Sequence, residues 1–528
     1  MTFDYKQFKK FLWIIPAVVA FLIALIPTLK YGWPLTTDIF YQVHVAQVYG
    51  QYGLTLIDPL MDPGLGRKIG YPPLFSLMLL FLASTLKLNY FTVARALQPI
   101  FAFLTVLTVT YAGKKFYGEV AGISAGFLLI SSFLFSRLMS PLPETLALIF
   151  VTLAVYLFYR SAVDKKYLYA VISGFLFILV VLTHQSAPVC LFAILTACTL
   201  VVGILKRDTS FFKSYAVFLA TNIVGALIVA LALFLIAPNI MHAVLAKGVL
   251  AATGYHTSLP TNDPISNLKY IAYLGILLLF VVIGGFVSYK KRRTADIFII
   301  TWAVVMLIAS KAYWFGVNVT SIRLLVYLLL PLSILGGSGL SYLYNEYKKK
   351  EFTSKSIRSA FLISVFVISS LYGITTVQDP NFNVIPKYDV YAYQNMSIMN
   401  PQIAPPTTSD VGLADWFSKN ANSSYGVVSN NQNTNQFLVS TTGQTVFNHY
   451  TIGKMPNNAS LIKYNIRYLV FDKRLTFSGD KSQNKTLTRG MYTFVNNATY
   501  GTDKWVLPYM KLVYENTDYN VYEITINS

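Results

Sequence analysis

The chain has 528 residues, 55% of them hydrophobic and only 12% charged, with a mean hydropathy of +0.53. That balance excludes a soluble multi-domain protein and requires an α-helical polytopic protein read in lipid. The net charge of +20 falls mainly in short clusters between apolar runs, as the positive-inside bias demands, so it reports topology and not a nucleic-acid partner.

In chain order, basic residues at Lys6, Lys9 and Lys10 precede an apolar run from Phe11 to Leu29. The run is too long for a secretory signal and lacks a small-residue cleavage site, so it is expected to be an uncleaved first span. The stretch from Pro34 to Phe75 then gathers acids, an imidazole, a guanidinium, tyrosines and helix breakers between two apolar segments, where a membrane enzyme can keep water-accessible chemistry. Thr36 or Thr37 is expected to cap a helix with Asp38 in its first turn. At helical spacing Asp38, Tyr41, Gln42 and Val45 share a face, and His44 lies well round from Asp38. Leu74 to Leu86, about 13 residues, has the length of an interfacial or re-entrant helix. Further spans are expected at 94–113, 118–136, 144–160, 167–183, 187–205, 214–237, 269–289, 295–311, 323–345 and 357–377, about eleven transmembrane helices in all.

Whether Leu74 to Leu86 crosses decides the sidedness of everything after it. If it stays in the outer leaflet, the loops holding Lys114-Lys115, Lys165-Lys166, Lys206-Arg207, Lys290 to Arg293 and Lys348 to Lys350 all lie with the basic N-terminus in the cytoplasm. If it crosses, all of them lie outside. The first arrangement follows the bias: a plasma-membrane protein with a cytoplasmic N-terminus and an extracellular C-terminal part.

Three polar clusters then fall at outer turns. Ser136-Arg137 to Pro141, Pro143 and Glu144 form the first, Thr183-His184-Gln185-Ser186 the second, and Lys311 to Arg323 the third. Each has a plain structural reading when taken alone: a helix-start carboxylate at Asp38 or Glu144, a hydrogen-bonded histidine at His184, an arginine at position 323 reaching the headgroups. Their shared outer placement is the stronger signal. Cys190 and Cys198 sit in one apolar run and read as small buried hydrophobes, not as a disulfide or metal site.

The composition turns polar at Asp379, dividing a membrane domain (1–378, with the outer loop 30–93) from an extracytoplasmic domain (379–528). Ser409 is expected to cap a helix, and strand-like runs at Tyr425–Val428, Gln444–Phe447, Ile466–Phe471, Met510–Tyr514 and Asn520–Ile524, with a helix at Asn458–Tyr464, make it a small α/β domain. Acceptor triplets N-x-S/T begin at Asn318, Asn395, Asn422, Asn458, Asn484 and Asn497, all on the side assigned as outer.

The pattern Asp38-x-x-Tyr41-x-x-His44, the Gly53 to Asp58-Pro59 stretch and Tyr71-Pro72-Pro73-Leu74 resemble the first outer loop of the C-type (GT-C) integral-membrane glycosyltransferases, which include oligosaccharyltransferase catalytic subunits and protein O-mannosyltransferases. The Arg137 to Glu144 turn, His184, and Arg323 running into Gly336-Gly337 resemble their later outer-loop features, and Val513 to Asn516 with Val521 to Glu523 resembles the outer domain of archaeal members. The resemblance implies transfer of one sugar from a dolichyl- or other polyprenyl-phosphate donor to a hydroxyl on a glycan, lipid or protein acceptor, with inversion. It implies Asp38 as general base with Glu144 as a second catalytic acid, and Arg323, Arg137, His184, Arg67, Tyr71 and His44 as binders of donor phosphate or substrate. Glu144 has two open roles: orienting the sugar with His184 or Arg137, or holding Mg2+ or Mn2+ with Asp38. A single acid at Asp38 stands where the family pairs two, and the Trp-Trp-Asp tripeptide of oligosaccharyltransferases is missing, which argues against transfer of a whole oligosaccharide to asparagine. A lipid-glycan flippase or transporter, or a degenerate surface anchor, are the rival readings.

Overall fold

A computed structural model describes residues 11–254, 264–349, 355–378, 405–449, 457–473 and 508–525. The membrane part is built from α1 (Ile15–Lys30), α2 (Asp38–Tyr52), α3 (Leu74–Leu86), α4 (Tyr90–Tyr117), α5 (Glu119–Ile130), the single turn α6 (Phe135–Leu138), α7 (Pro143–Asp164), α8 (Leu168–Thr183), α9 (Ala187–Lys206), α10 (Ser210–Ile236), α11 (Pro238–Lys247), α12 (Val249–Thr253), α13 (Asn267–Leu274), α14 (Leu277–Lys291), α15 (Thr294–Ser310), α16 (Ser321–Lys349) and α17 (Lys355–Gln378). Every expected span holds a helix, two of them broken. Among the described residues, however, seven helices are long and apolar enough to cross a membrane, or eight if the bent pair α13–α14 is one span. The other three expected spans are the short apolar helices α5, α8 and α15, while α3 is the short helix expected beside the membrane surface.

The two breaks share one remedy. Helix α5 stops at Ile130, and the axis turns by 96° between α13 and α14, where Gly275 takes a φ of +52°. A break in a lipid-buried helix frees backbone groups that water cannot satisfy. Here the Tyr273 carbonyl accepts from the Ser132 hydroxyl (2.8 Å) and from the Phe133 N–H (3.0 Å), so each broken helix satisfies the other. Helices α14 and α16 then approach so closely that a Cβ on Gly339 would lie 2.2 Å from the Phe280 carbonyl oxygen. Only glycine permits that spacing.

The basic loops meet at one end of the bundle. The Lys206 ammonium donates to the Arg292 carbonyl (2.7 Å), the Arg293 guanidinium lies over the Tyr117 ring, and Lys114 lies over Trp13.

The polar C-terminal part folds as α18 (Thr408–Asn420), β1 (Gly426–Ser429), α19 (Gln432–Thr442), α20 (Asn458–Lys463), β2 (Ile466–Asp472), β3 (Met510–Glu515) and β4 (Tyr519–Ile524). The sheet order is β1-β2-β4-β3, with β1 parallel to β2 and the other pairs antiparallel. Thr407, not Ser409, caps α18: its hydroxyl accepts from the Asp410 N–H, and the Asp410 carboxylate accepts from the Thr407 N–H in a reciprocal box. The expected strand at Gln444–Phe447 is reduced to isolated bridges, because the Val446 N–H is taken by the Leu60 carbonyl and the Val446 carbonyl by the Asp62 N–H of the loop between α2 and α3.

That exchange docks the domain. Phe437 on α19 packs against Phe40 (5.1 Å between ring centroids) and Trp33 (5.8 Å), and the Gln47 amide donates to the Ser440 carbonyl (2.9 Å).

Candidate active site

One end of the helix bundle, opposite the basic loops, holds a cavity of about 160 Å³ lined by Asp38, Tyr41, Gln42, Tyr71, Arg137, Leu142, Pro143, Glu144, His184, Arg323 and Gln436. Six structural units converge there: the start of α2, the loop between α2 and α3, the turn from α6 into α7, the residues between α8 and α9, the start of α16, and α19. Because successive long helices run antiparallel, residues far apart in sequence meet at the ends they share.

Asp38 is the first residue of α2, followed at helical spacing by Tyr41 and Gln42 on the same wall. Thr37 precedes the helix but makes no side-chain capping bond, so Asp38 itself supplies the negative charge at the N-terminus. Its side chain is exposed to the cavity's mouth. Gln42 is fixed by the Ser76 hydroxyl, which donates to its Oε1 (3.0 Å).

Glu144 follows Pro143, which occupies the N-terminal turn of α7 without loss of a needed donor. Its Oε2 accepts from Arg137 Nε (2.6 Å) and Nη2 (2.5 Å), and its Oε1 is buried without a hydrogen-bond partner. Arg323 lines the same cavity with no ion-pair partner among the described residues. The pocket therefore holds one spent carboxylate–guanidinium pair, one open carboxylate and one open guanidinium. The hydroxyl of Tyr71 is pushed well above its ordinary pKa by burial and by Glu144, and its ring meets His184 edge to face at 6.1 Å.

Two of the expected binders do not line this cavity. His44 is fully buried and its Nε2 lies 2.7 Å from Asp58 Oδ2. Arg67 Nη1 donates to Asp62 Oδ2 (2.8 Å), and Asp62 Oδ1 in turn accepts from the His449 N–H (2.8 Å). Both hold the loop between α2 and α3 in shape. Asp58 shows the physics: burial alone would raise its pKa, but hydrogen bonds from His44 and the Met61 and Leu60 amides bring it below the usual carboxylate value.

Sequence reasoning missed Gln436, which α19 brings from the C-terminal domain. Its only signal, the aromatic Phe437 beside it, became legible once α19 was seen packed on α2. Among the described residues no group of three or more His, Cys, Asp or Glu side chains is placed to hold a metal ion. Asp38 and Glu144 supply two carboxylates, and the unbonded Glu144 Oε1 suits a hard cation whose shell is completed by phosphate and water. Of the acceptor triplets, Asn318, Asn422 and Asn458 are exposed, and Asn395, Asn484 and Asn497 lie outside the described residues. Both cysteines are buried and free.

By sequence, no family model and no curated protein matches the chain. By structure it matches ArnT from Cupriavidus metallidurans bound to undecaprenyl phosphate, with a TM-score of 0.60 over 97% of this chain and 97% of that one, at 11% identity. The chain has the GT-C fold. The archaeal oligosaccharyltransferase AglB from Archaeoglobus fulgidus, in complex with an inhibitory peptide and a dolichol-phosphate, matches at a TM-score of 0.57 and 13% identity, covering 89% of this chain and 70% of that one. The arabinofuranosyltransferase AftD from Mycobacteria matches at 0.53 and 12% identity, covering 98% of this chain and 42% of that one. Within this GT-C fold, the cavity lies where the ends of α2, α7 and α16 meet.

Proposed function

We propose that the chain is a membrane glycosyltransferase that moves one sugar from a polyprenyl-phosphate donor to a hydroxyl acceptor on the extracytoplasmic face, inverting the anomeric centre. The observation that carries this reading is the pairing, in one water-accessible cavity, of an open carboxylate at Asp38 with an open guanidinium at Arg323. A transferase needs both: one to receive a proton, one to receive negative charge.

In the proposed step the acceptor oxygen attacks the anomeric carbon from the side opposite the phosphate. Its proton passes to Asp38 as general base, an effect of about 10²–10⁴-fold. The bond from the anomeric carbon to the phosphate oxygen breaks, and the polyprenyl phosphate leaves with the electron pair. The leaving group is already a weak base, so no general acid is required. The Arg323 fork meets the charge that develops on the phosphate. Arg137 stays fixed against Glu144 and adds a second positive edge. Attack without a covalent intermediate inverts configuration. Glu144, neutralised on one oxygen by Arg137, is a holder of that arginine and not a second base. Asp38 and Glu144 Oε1 are the residues that would hold Mg2+ or Mn2+, which would supply further charge neutralisation on the phosphate.

The fold's likeness to proteins bound to dolichol-phosphate and undecaprenyl phosphate supports a lipid donor. Purified protein in nanodiscs, given a panel of labelled polyprenyl-phosphate sugars and a hydroxyl acceptor, is expected to form a new glycosidic bond. Turnover that survives Asp38→Asn undiminished would overturn the assignment of the base. Loss of turnover in EDTA, restored by Mg2+ or Mn2+ alone, is the result expected if the two carboxylates carry an ion.

A further inference from the structure

Two hydrogen-bond donors converge on one ring nitrogen of His184. The Ala187 N–H, in the first turn of α9, donates to Nδ1 at 3.3 Å, and the hydroxyl of Tyr327, buried on α16, lies 3.3 Å from the same atom. A backbone N–H can only donate, so Nδ1 must carry a lone pair, and a hydroxyl facing an accepting nitrogen donates too. The proton of the neutral imidazole then sits on Nε2. Protonating Nδ1 would set two N–H groups head to head in a buried site.

The surroundings agree with a neutral ring. His184 is 4% exposed and is faced by Glu144 and Arg137 from the turn into α7, by Arg323 from α16, and by Tyr71 from the outer loop. Burial, with Arg323 and Arg137 reinforcing it against Glu144, pushes its pKa down to about 4. With Nδ1 committed, Nε2–H is the polar atom that the ring has left to offer the cavity.

We infer that His184 serves the pocket as a fixed neutral hydrogen-bond donor through Nε2–H, with Tyr327 as the positioning residue that holds its tautomer, and that its partner is a phosphate oxygen of the lipid donor. The partner rests on the transferase reading; the tautomer does not. Such a donor grips phosphate without adding a third positive charge beside Arg137 and Arg323, and it transfers no proton. Its contribution is to binding and alignment.

The tautomer is read directly from the imidazole nitrogen shifts of ¹⁵N-histidine-labelled protein in nanodiscs, with the His184 signals assigned by their loss in His184→Asn. A bare Nδ1 and a protonated Nε2 at neutral pH are expected, with the Nδ1 resonance moving in Tyr327→Phe. A proton on Nδ1, or no change in Tyr327→Phe, overturns the proposal. The role is read from binding of polyprenyl phosphate without sugar. Asn places an oxygen where Nδ1 sits and keeps the bond from Ala187 but offers nothing at Nε2, so His184→Asn should weaken binding about tenfold. His184→Gln, whose amide reaches the Nε2 position, should stay within about threefold of wild type. Retention by Asn with loss by Gln, or wild-type binding by both, would show a helix cap and overturn the donor role. A wild type that does not bind the probe overturns the transferase reading and the partner assigned here with it, while the nitrogen shifts still decide the tautomer.

Discussion

At the scale of single residues, charge partnership sorts the cavity. Arg137 and Arg323 look alike in the sequence, each at the mouth of an apolar segment, yet one is spent on Glu144 and the other has no ion-pair partner among the described residues. Arg323→Ala should therefore lower affinity for polyprenyl phosphate by at least tenfold, the value of one charge-assisted hydrogen bond. A control change at the exposed Arg207 should leave it unaltered. Equal effects, measured by lipid titration, would return Arg323 to a headgroup-reaching role. The faces of α2 were legible from spacing alone: Asp38, Tyr41 and Gln42 do share a wall. The roles of His44 and Arg67 were not, because their partners Asp58 and Asp62 lie across a folded loop whose path no periodicity encodes. Asp58 and His44 form a buried pair, and breaking it with Asp58→Asn should cost about 3 kcal/mol of stability. The pKa of Asp58 is lowered in the fold, so its contribution is fully present above the ordinary carboxylate value and is lost as pH falls through the folded value. Thermal melts of wild type should fall more steeply with acid below pH ~4 than those of Asp58→Asn. Parallel curves would remove the pair from the account.

At the scale of elements, helix existence was readable and helix length was not. Apolar runs at 118–136 and 269–289 count as spans by hydropathy, but the structure breaks them at Ser131 and Gly275 and lets Ser132 and Phe133 repair Tyr273 across the gap. Hydropathy measures transfer into lipid and is blind to a break satisfied by a neighbour. Helix α19 was missed for a related reason: Gln432 to Gln436 is a polar run, and the buried apolar run Phe437, Leu438 and Val439 is too short to show a period. That helix fastens the C-terminal domain to α2 and carries Gln436 into the cavity. Phe437→Ala removes a ring packed against Trp33 and Phe40 and should cost about 3 kcal/mol at that contact. Limited proteolysis should then cut between the helical bundle and the C-terminal domain faster than in wild type. An unchanged cleavage rate would mean that the loop exchange between Val446 and Leu60 suffices to hold the domain.

At the scale of the whole molecule, two kinds of charge divide the bundle. Lysine and arginine loops gather at one end, and the cavity with its mixed acids and bases opens at the other. On the positive-inside bias we propose that the cavity is extracytoplasmic. Cysteine placed at exposed Lys115 should be shielded from an impermeant thiol reagent in intact cells, and cysteine at exposed Ser424 should be labelled. Cys190 and Cys198, buried and free, give little background. Labelling at 115 and not at 424 would invert the molecule. The convergence of Asp38, Glu144, His184 and Arg323 was anticipated from topology alone, since each falls at a helix end on the same side. The most direct test of the central claim uses proteoliposomes loaded with a labelled dolichyl-phosphate hexose and a hydroxyl acceptor. The account predicts a new glycosidic bond of inverted configuration with wild type and a loss of about 10²–10⁴-fold with Asp38→Asn. Sugar that crosses the bilayer without any new bond would contradict it.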